Sequence, residues 1–194
     1  MKIYDITQEL LGCEVYPGDP VPEIYTACSM ARGDKYNLSY IKMCLHNGTH
    51  IDAPLHFING GKGVDELDAK IFCGPVYVAE PERLDSKTAR DIITLAEHEG
   101  AGERILIKGE AVVTLEAAET FSMSGVRLIG VESQSVGPTE APMDVHIALL
   151  SHEIVLLEGI RLHNVNVGAY TLFAQPLKIL GADGAPCRAI LIEN

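Results

Sequence analysis

Residues 46–57 read H-N-G-T-H-I-D-A-P-L-H-F, and four side chains able to bind a metal, His46, His50, Asp52 and His56, fall within the first eleven of them. The Asn47-Gly48 pair permits a turn that brings His46 and His50 to a common point. His50 and Asp52 are two apart, so an extended backbone puts both on one face. Imidazole with carboxylate is a donor set for Zn²⁺ or Mn²⁺ rather than for Ca²⁺ or an iron–sulfur cluster. A single loop histidine is more often a hydrogen-bonded polar residue than a ligand; the cluster reverses that weighting. His56 lies beyond Pro54, whose ring restrains the backbone between it and Asp52. A further ligand, a general acid/base or a group that orients a ligand are all open to it.

Outward from this stretch the chain changes character. Upstream, residues 2–7, 23–29 and 37–45 read as extended, and Y-P-G-D at residues 16–19 reads as a tight turn. Residues 46–63, rich in Gly, Asn, Asp and Pro, read as one long loop of the kind that carries function. Downstream, strands alternate with helices: a strand at 74–80, then a helix at 87–99 capped by Ser86 and stopped by Gly100, with Ala89, Ile92, Ile93 and Ala96 as its apolar face. Strands at 104–108 and 126–131, helices at 114–123 and 141–151, and strands at 154–158 and 187–193 complete the pattern. This predicts an α+β fold, a mixed sheet or open barrel covered by a few helices.

A second cluster of ligand types lies about ninety residues on, with Asp144, His146, His152, Glu153 and Glu158. His146 shares an apolar stripe with Leu149 and Leu150, which suits a buried, hydrogen-bonded histidine. Glu158 ends the apolar run I-V-L-L, where a carboxylate is costly unless paired, protonated or bound to a cation. His152 and Glu153 fall in the turn between helix and strand and read as solvated. Other motifs are negative: S-M-S-G-V at 122–126 lacks the first glycine of a nucleophile elbow, and G-G-K-G at 60–63 is no phosphate loop.

The 194 residues read as one domain, 1–194, with 15 basic against 27 acidic side chains and a formal charge of −12. That charge repels a phosphate backbone and an anionic membrane, so neither is an expected partner. Five scattered cysteines without a C-x-x-C pair read as reduced, mostly buried thiols of a cytoplasmic protein. The N-terminal stretch reads as no secretory leader, and the sequence has no run of eighteen apolar residues.

The stretch from His46 to His56 resembles the H-x-G-T-H-x-D-x-P-x-H signature of the cyclase family of metal-dependent enzymes, which includes bacterial kynurenine formamidases and isatin hydrolases. Y-P-G-D at residues 16–19, H-x-x-L-L-x-x-x-I-x-x-x-E from His146 to Glu158 and G-A-D-G-A-P-C-R-A at residues 181–189 agree in order and approximate spacing. The resemblance implies a compact β/β/α (swivelling-type) fold with a barrel-like mixed sheet, assembled as a homodimer or homotetramer. It implies one or two divalent ions, Zn²⁺ first and Mn²⁺ as the alternative. His46, His50 and Asp52 would hold the first ion, and Asp52, His146 and Glu158 the second. His56 takes the acid/base position, and Tyr16 and Asp19 border the pocket of a small-molecule substrate. The implied reaction is hydrolysis of a small amide, formamide or lactam by a metal-activated water. A lactonase, lyase or cyclase reaction, or metal and metabolite binding without turnover, are the competing readings.

Two stretches depart from the family pattern. Tyr16 stands where kynurenine formamidases commonly carry the tryptophan of W-P-G-D, and the chain has no tryptophan. The family's G-x-D-T-x-S-x-D appears as G-V-E-S-Q-S-V-G at residues 130–137, with Glu132 and Gly137 at its acidic positions.

Overall fold

The computed structural model describes residues 1–138 and 140–193. Among these, the elements in chain order are β1 (Lys2–Asp5), β2 (Glu23–Cys28), β3 (Leu38–Lys42), β4 (His50–Asp52), β5 (Cys73–Ala79), α1 (Ser86–His98), β6 (Arg104–Ile107), α2 (Leu115–Ser122), β7 (Leu128–Val131), α3 (Pro142–Leu150), β8 (Val155–Glu158), β9 (Gly168–Phe173), β10 (Gly184–Pro186) and β11 (Ile190–Glu193). Nine strands form one curled sheet, a half-barrel ordered β1-β11-β9-β5-β6-β7-β8-β4-β10. The pairs β5-β6, β6-β7 and β7-β8 are parallel, and the flanking pairs are antiparallel. The α+β architecture with a barrel-like mixed sheet is therefore the one expected.

Period-two alternation builds two cores on the sheet's two faces. Val76, Val78, Leu106, Val155 and Leu157 enter one core with Ile6, Ile51 and Leu191. Their neighbours Tyr77, Ala79, Ile105, Ile107 and Leu156 enter the other, under Ala89, Ile92 and Ala96 of α1 and Ala117, Ala118 and Phe121 of α2. Strands β6, β7 and β8 are buried throughout, which is why they read as apolar runs with Arg104 and Glu158 only at the ends of β6 and β8.

Several boundaries differ from the sequence reading. Asp85, rather than Ser86, caps α1: its carboxylate accepts from the backbone N–H of Thr88 at 2.9 Å. Ser86 is the first helical residue and accepts at its hydroxyl from Arg90 and Thr120. Residues 46–63 are not loop throughout, because β4 lies inside them, sandwiched between β8 and β10. Strands β9 and β10 were not anticipated; β10 is only Gly-Ala-Pro and sits at the sheet's edge, where Pro186 costs no ladder bond inside the sheet. The cysteines are free, as expected, but each is half-buried rather than buried. No helix of the described residues is long and apolar enough to cross a membrane.

Among the described residues, strands β2 and β3 pair only with each other, in a hairpin outside the nine-stranded sheet. Every residue of β3 is exposed, and Ile24, Leu38, Tyr40 and Ile41 leave large apolar surfaces open.

Candidate metal centre

Three elements converge at one end of the helix-covered face. Ile51 points into the opposite core, so alternation sends His50 and Asp52 to the helix side. In the β4–β8 register His50 stands directly opposite Glu158 and Asp52 opposite Leu156. Helix α3 lays His146 over them from above.

The turn before β4 is built by backbone geometry. Gly48 has φ of 65°, a left-handed conformation that suits glycine. Asn47 closes the turn by accepting from the Cys44 N–H at 2.8 Å. Thr49 donates its hydroxyl to the Gly159 carbonyl at 2.7 Å, tying the turn to the end of β8. A Cβ at Gly184 of β10 would lie 2.5 Å from His46 Cε1, so the glycine makes room for that ring.

The hydrogen bonds identify which ring nitrogens face the centre. His50 Nδ1 donates to the Gly48 carbonyl at 3.0 Å, and His146 Nδ1 donates to the Pro142 carbonyl at 2.8 Å. A carbonyl has no proton to give, so both rings carry theirs on Nδ1 and turn Nε2 inward. His50 Nε2 lies 3.3 Å from Asp52 Oδ1 and 3.4 Å from Glu158 Oε2. His146 Nε2 lies 3.4 Å from Glu158 Oε1 and 3.7 Å from Asp52 Oδ2. Neutral rings would thus aim lone pairs at carboxylate oxygens, an arrangement that needs a cation or extra protons between them.

Burial makes that need acute. His50, Asp52, His146 and Glu158 are all buried, and Asp52 Oδ2 has no hydrogen-bond partner among the described residues. Burial alone would push the His50 imidazole down, but hydrogen bonds and charge from Asp52 and Glu158 outweigh it and hold the ring well above its ordinary range. Burial likewise opposes ionisation of Asp52, and the bonds from His46 and His50 overcome it, so its carboxyl stays ionised far below the usual carboxylate range. A divalent cation matches this donor set without extra protons, and it would engage the orphaned Asp52 oxygen. His46, His50 and Asp52 form one group whose ligand atoms approach closely enough to share an ion; Asp52, His146 and Glu158 form a second.

His56 stands at the rim, half-buried, on a short 3₁₀ turn that Pro54 opens. Its ring stacks on His46 with centroids 4.0 Å apart, and its Nε2 is 4.0 Å from Asp52 Oδ2. Burial, with the neighbouring His46 and His146, lowers its pKa against the pull of Asp52 and Asp183.

Asp183 is the residue the sequence reading missed. Its Oδ2 lies 3.0 Å from His46 Nε2 and 3.3 Å from His56 Nδ1, so one oxygen orients two rings. The signal was present in the stretch G-A-D-G-A-P, but only the β4–β10 pairing brings it to the centre, where Gly184 opposes Asp52. His46, His56 and Asp183 make a third group of ligand type.

These residues floor a cavity of about 400 Å³, within the small-ligand range. Tyr16 and Asp19 line it, joined by Cys44, Phe57, Gln134 and Ser135, which the sequence reading did not single out. Asp144, His152 and Glu153 do not line it; His152 and Glu153 are exposed, as their turn position implied.

The two altered acidic positions have structural accounts. Glu132 places its carboxylate on the backbone N–H groups of Gly109 and Leu162, both at 2.7 Å, and so braces two loops. Gly137 packs on Pro142, where a Cβ would come within 2.8 Å of the proline Cα. No larger side chain fits there without moving α3.

A family model described as Putative cyclase matches residues 4–138. The chain belongs to the cyclase family. This cyclase-family chain is 35% identical to a kynurenine formamidase of Bacillus cytotoxicus, over 96% of its own length and 95% of that protein's. A kynurenine formamidase of Erythrobacter litoralis is 32% identical, over 99% and 94%. Among solved structures, a predicted metal-dependent hydrolase from Bacillus stearothermophilus shares 29% identity at a TM-score of 0.79, covering 98% of this chain and 97% of that one. Isatin hydrolase A from Labrenzia aggregata shares the fold at a TM-score of 0.79 and 23% identity, covering 100% and 94%.

Proposed function

We propose that this cyclase-family chain is a metal-dependent hydrolase of a small amide, formamide or lactam, with His46, His50, Asp52, His146 and Glu158 holding one or two divalent ions. The observation that carries the reading is the convergence of two inward-facing Nε2 atoms on two buried carboxylates, one of them with an orphaned oxygen. Imidazole and carboxylate donors favour Zn²⁺, with Mn²⁺ as the alternative. When bound, such an ion supplies Lewis acidity, lowering the pKa of a water and polarising a carbonyl.

The chain's own residues supply the rest. His56 donates Nδ1–H to Asp183, which leaves Nε2 unprotonated toward the cavity. There it takes a proton from the attacking water and returns it to the departing nitrogen. Tyr16 and Asp19, on the cavity wall, border the substrate. The kynurenine formamidase relatives favour a formamide, whereas Tyr16 and the absence of tryptophan argue for a substrate other than N-formylkynurenine. A lactonase, lyase or cyclase reaction would use the same groups on another carbonyl.

Elemental analysis, then turnover of formanilides, lactams and lactones with Zn²⁺ or Mn²⁺, tests the reading. His50→Ala should lose both metal and turnover; a metal-stripped protein that still hydrolyses amides refutes it.

The exposed apolar hairpin of β2 and β3 supports a homodimer or homotetramer, since a lone two-stranded hairpin is marginal in water. Light scattering should give a multiple of the chain's 21.0 kDa. Five free cysteines support a reducing, cytoplasmic location, and the charge of −12 speaks against nucleic acid or anionic membrane as partners.

A further inference from the structure

Four carboxylates gather at the cavity, two of them buried and two open to solvent. Asp52 and Glu158 are buried among the histidines. Asp19 and Asp183 line the wall and are only half-buried, the Asp183 side chain being 44% exposed. Asp183 Oδ2 serves the His46 and His56 rings. Asp19 has one side-chain hydrogen bond among the described residues, from the Cys44 thiol at 3.7 Å, and a thiol is a weak donor. Cys44 lines the cavity too, so this contact sets the Asp19 carboxylate beside the open space. No lysine or arginine is among the described lining residues. With the histidines neutral, Asp52 and Glu158 match the two charges of one divalent ion, and Asp19 and Asp183 then leave the cavity negative. A second ion would bring the four carboxylates only to balance, so an anion meets no net positive charge in either case.

We propose that Asp19 is a specificity-determining residue that pairs with a cationic group on the substrate, so that the cavity takes a formamide or amide bearing an ammonium and no free acid group. This rests on the hydrolase reading and adds the charge of the substrate's distal end. An ammonium brings N–H donors that a carboxylate accepts, and Asp19 has accepting capacity to spare. Asp183 adds a second negative charge on the same wall. Tyr16 and Phe57 contribute aromatic rings, whose faces attract cations. The field of the whole molecule acts in the same sense, because a formal charge of −12 draws cations toward the surface and repels anions.

The test uses the metal-loaded protein and three anilines that differ in one group: 3-aminobenzylamine, cationic at pH 7, 3-aminobenzyl alcohol and 3-aminobenzenesulfonate, with their N-formyl derivatives as substrates. A sulfonate coordinates metals weakly and a protonated amine has no lone pair to offer them, so the series reports the wall rather than the ions. Calorimetry should give tightest binding for the ammonium and weakest for the sulfonate, and KM of the formanilides should follow the same order. The ammonium-to-alcohol preference should fall by about fivefold in Asp19→Asn, the effect of one part-exposed ion pair. Asp19→Lys should turn the preference toward the sulfonate. In the wild type the preference should shrink as salt rises from about 0.01 M to about 0.5 M. Melting temperature identifies a variant that has merely misfolded, and the salt series on the wild type then decides. Equal or weaker binding of the ammonium than of the alcohol, a preference unmoved by salt, or one unchanged in both folded variants overturns the proposal. Asp19-dependent selection of the ammonium without turnover of any amide would overturn the hydrolase reading and leave this one standing. Turnover without charge selection would do the reverse.

Discussion

His56 and Asp183 divide the chemistry at the residue scale. His56 lies just outside the cluster of inward-facing ligands, so His56→Gln should retain bound metal while kcat falls by about 10² to 10⁴, the usual contribution of a positioned proton carrier. Elemental analysis beside steady-state kinetics separates the two quantities. The pH profile follows from burial. The His56 pKa is lowered below its ordinary 6.5, chiefly by desolvation, with His46 and His146 adding to it. Its neutral form is the one that accepts a proton, and that form is lost as pH falls through the lowered pKa. The acid limb of kcat/KM should therefore lie below pH 6.5 and vanish in His56→Gln. Asp183→Asn tests the shared carboxylate. It keeps the shape but removes the charge that orients His46 and His56, so metal affinity should drop by about 10- to 100-fold, as for other outer carboxylates. An unchanged affinity with unchanged kcat would remove Asp183 from the site.

At the scale of elements, two short strands decide the geometry. Strand β4 is three residues long, yet it sets His50 opposite Glu158 and aims Asp52 at α3. Strand β10 holds Gly184 against His46. A Cβ at Gly184 would sit 2.5 Å from His46 Cε1 and 2.8 Å from the Ile51 carbonyl oxygen. Gly184→Ala should therefore displace His46 and separate β10 from β4, lowering both metal affinity and melting temperature. Titration with metal followed by thermal melts reads both, and an alanine variant that binds metal normally would show that β10 yields easily. Neither strand has a sequence signature of its own. β4 is polar at two of its three positions because it carries ligands, and β10 is Gly-Ala-Pro because a ring must pass close by and an edge tolerates proline. Elements such as α1 and β6 to β8 were legible because burial on one or both faces imposes period and run length on their residues.

For the whole molecule, the centre is a place where folding leaves like charges together. Asp52 and Glu158 are buried with only histidines to balance them. A divalent ion that binds this arrangement and not the unfolded chain stabilises the fold by mass action, about 2.7 kcal/mol at a hundredfold excess over Kd. For a chain of this size that is about 5–10 °C in melting temperature. Calorimetric scans should show the rise with Zn²⁺ or Mn²⁺, its loss on chelation, and no rise in His50→Ala. A chelator-treated protein that melts as the loaded one does would exclude a resident ion.

The sequence by itself determined the half of the centre that is local. His46, His50, Asp52 and His56 are neighbours in the chain, so turn geometry and strand alternation relate them without reference to the rest of the fold. It also marked Glu158 as anomalous, because a carboxylate closing an apolar run must find a partner. The family resemblance already named His146 and Glu158 as their distant partners; what only the tertiary structure decided is the geometry in which they meet, and that Asp183 joins them. The β4–β8 and β4–β10 pairings and the seat of α3 bring Glu158, His146 and Asp183 to the four residues of His46–His56, across 94 positions for Asp52–His146 and 137 for His46–Asp183. Sheet register is set by burial on two faces over the whole chain, and no local pattern around Asp183 records it. The site that residues 46–56 announced was thus half visible, and the other half belongs to the fold.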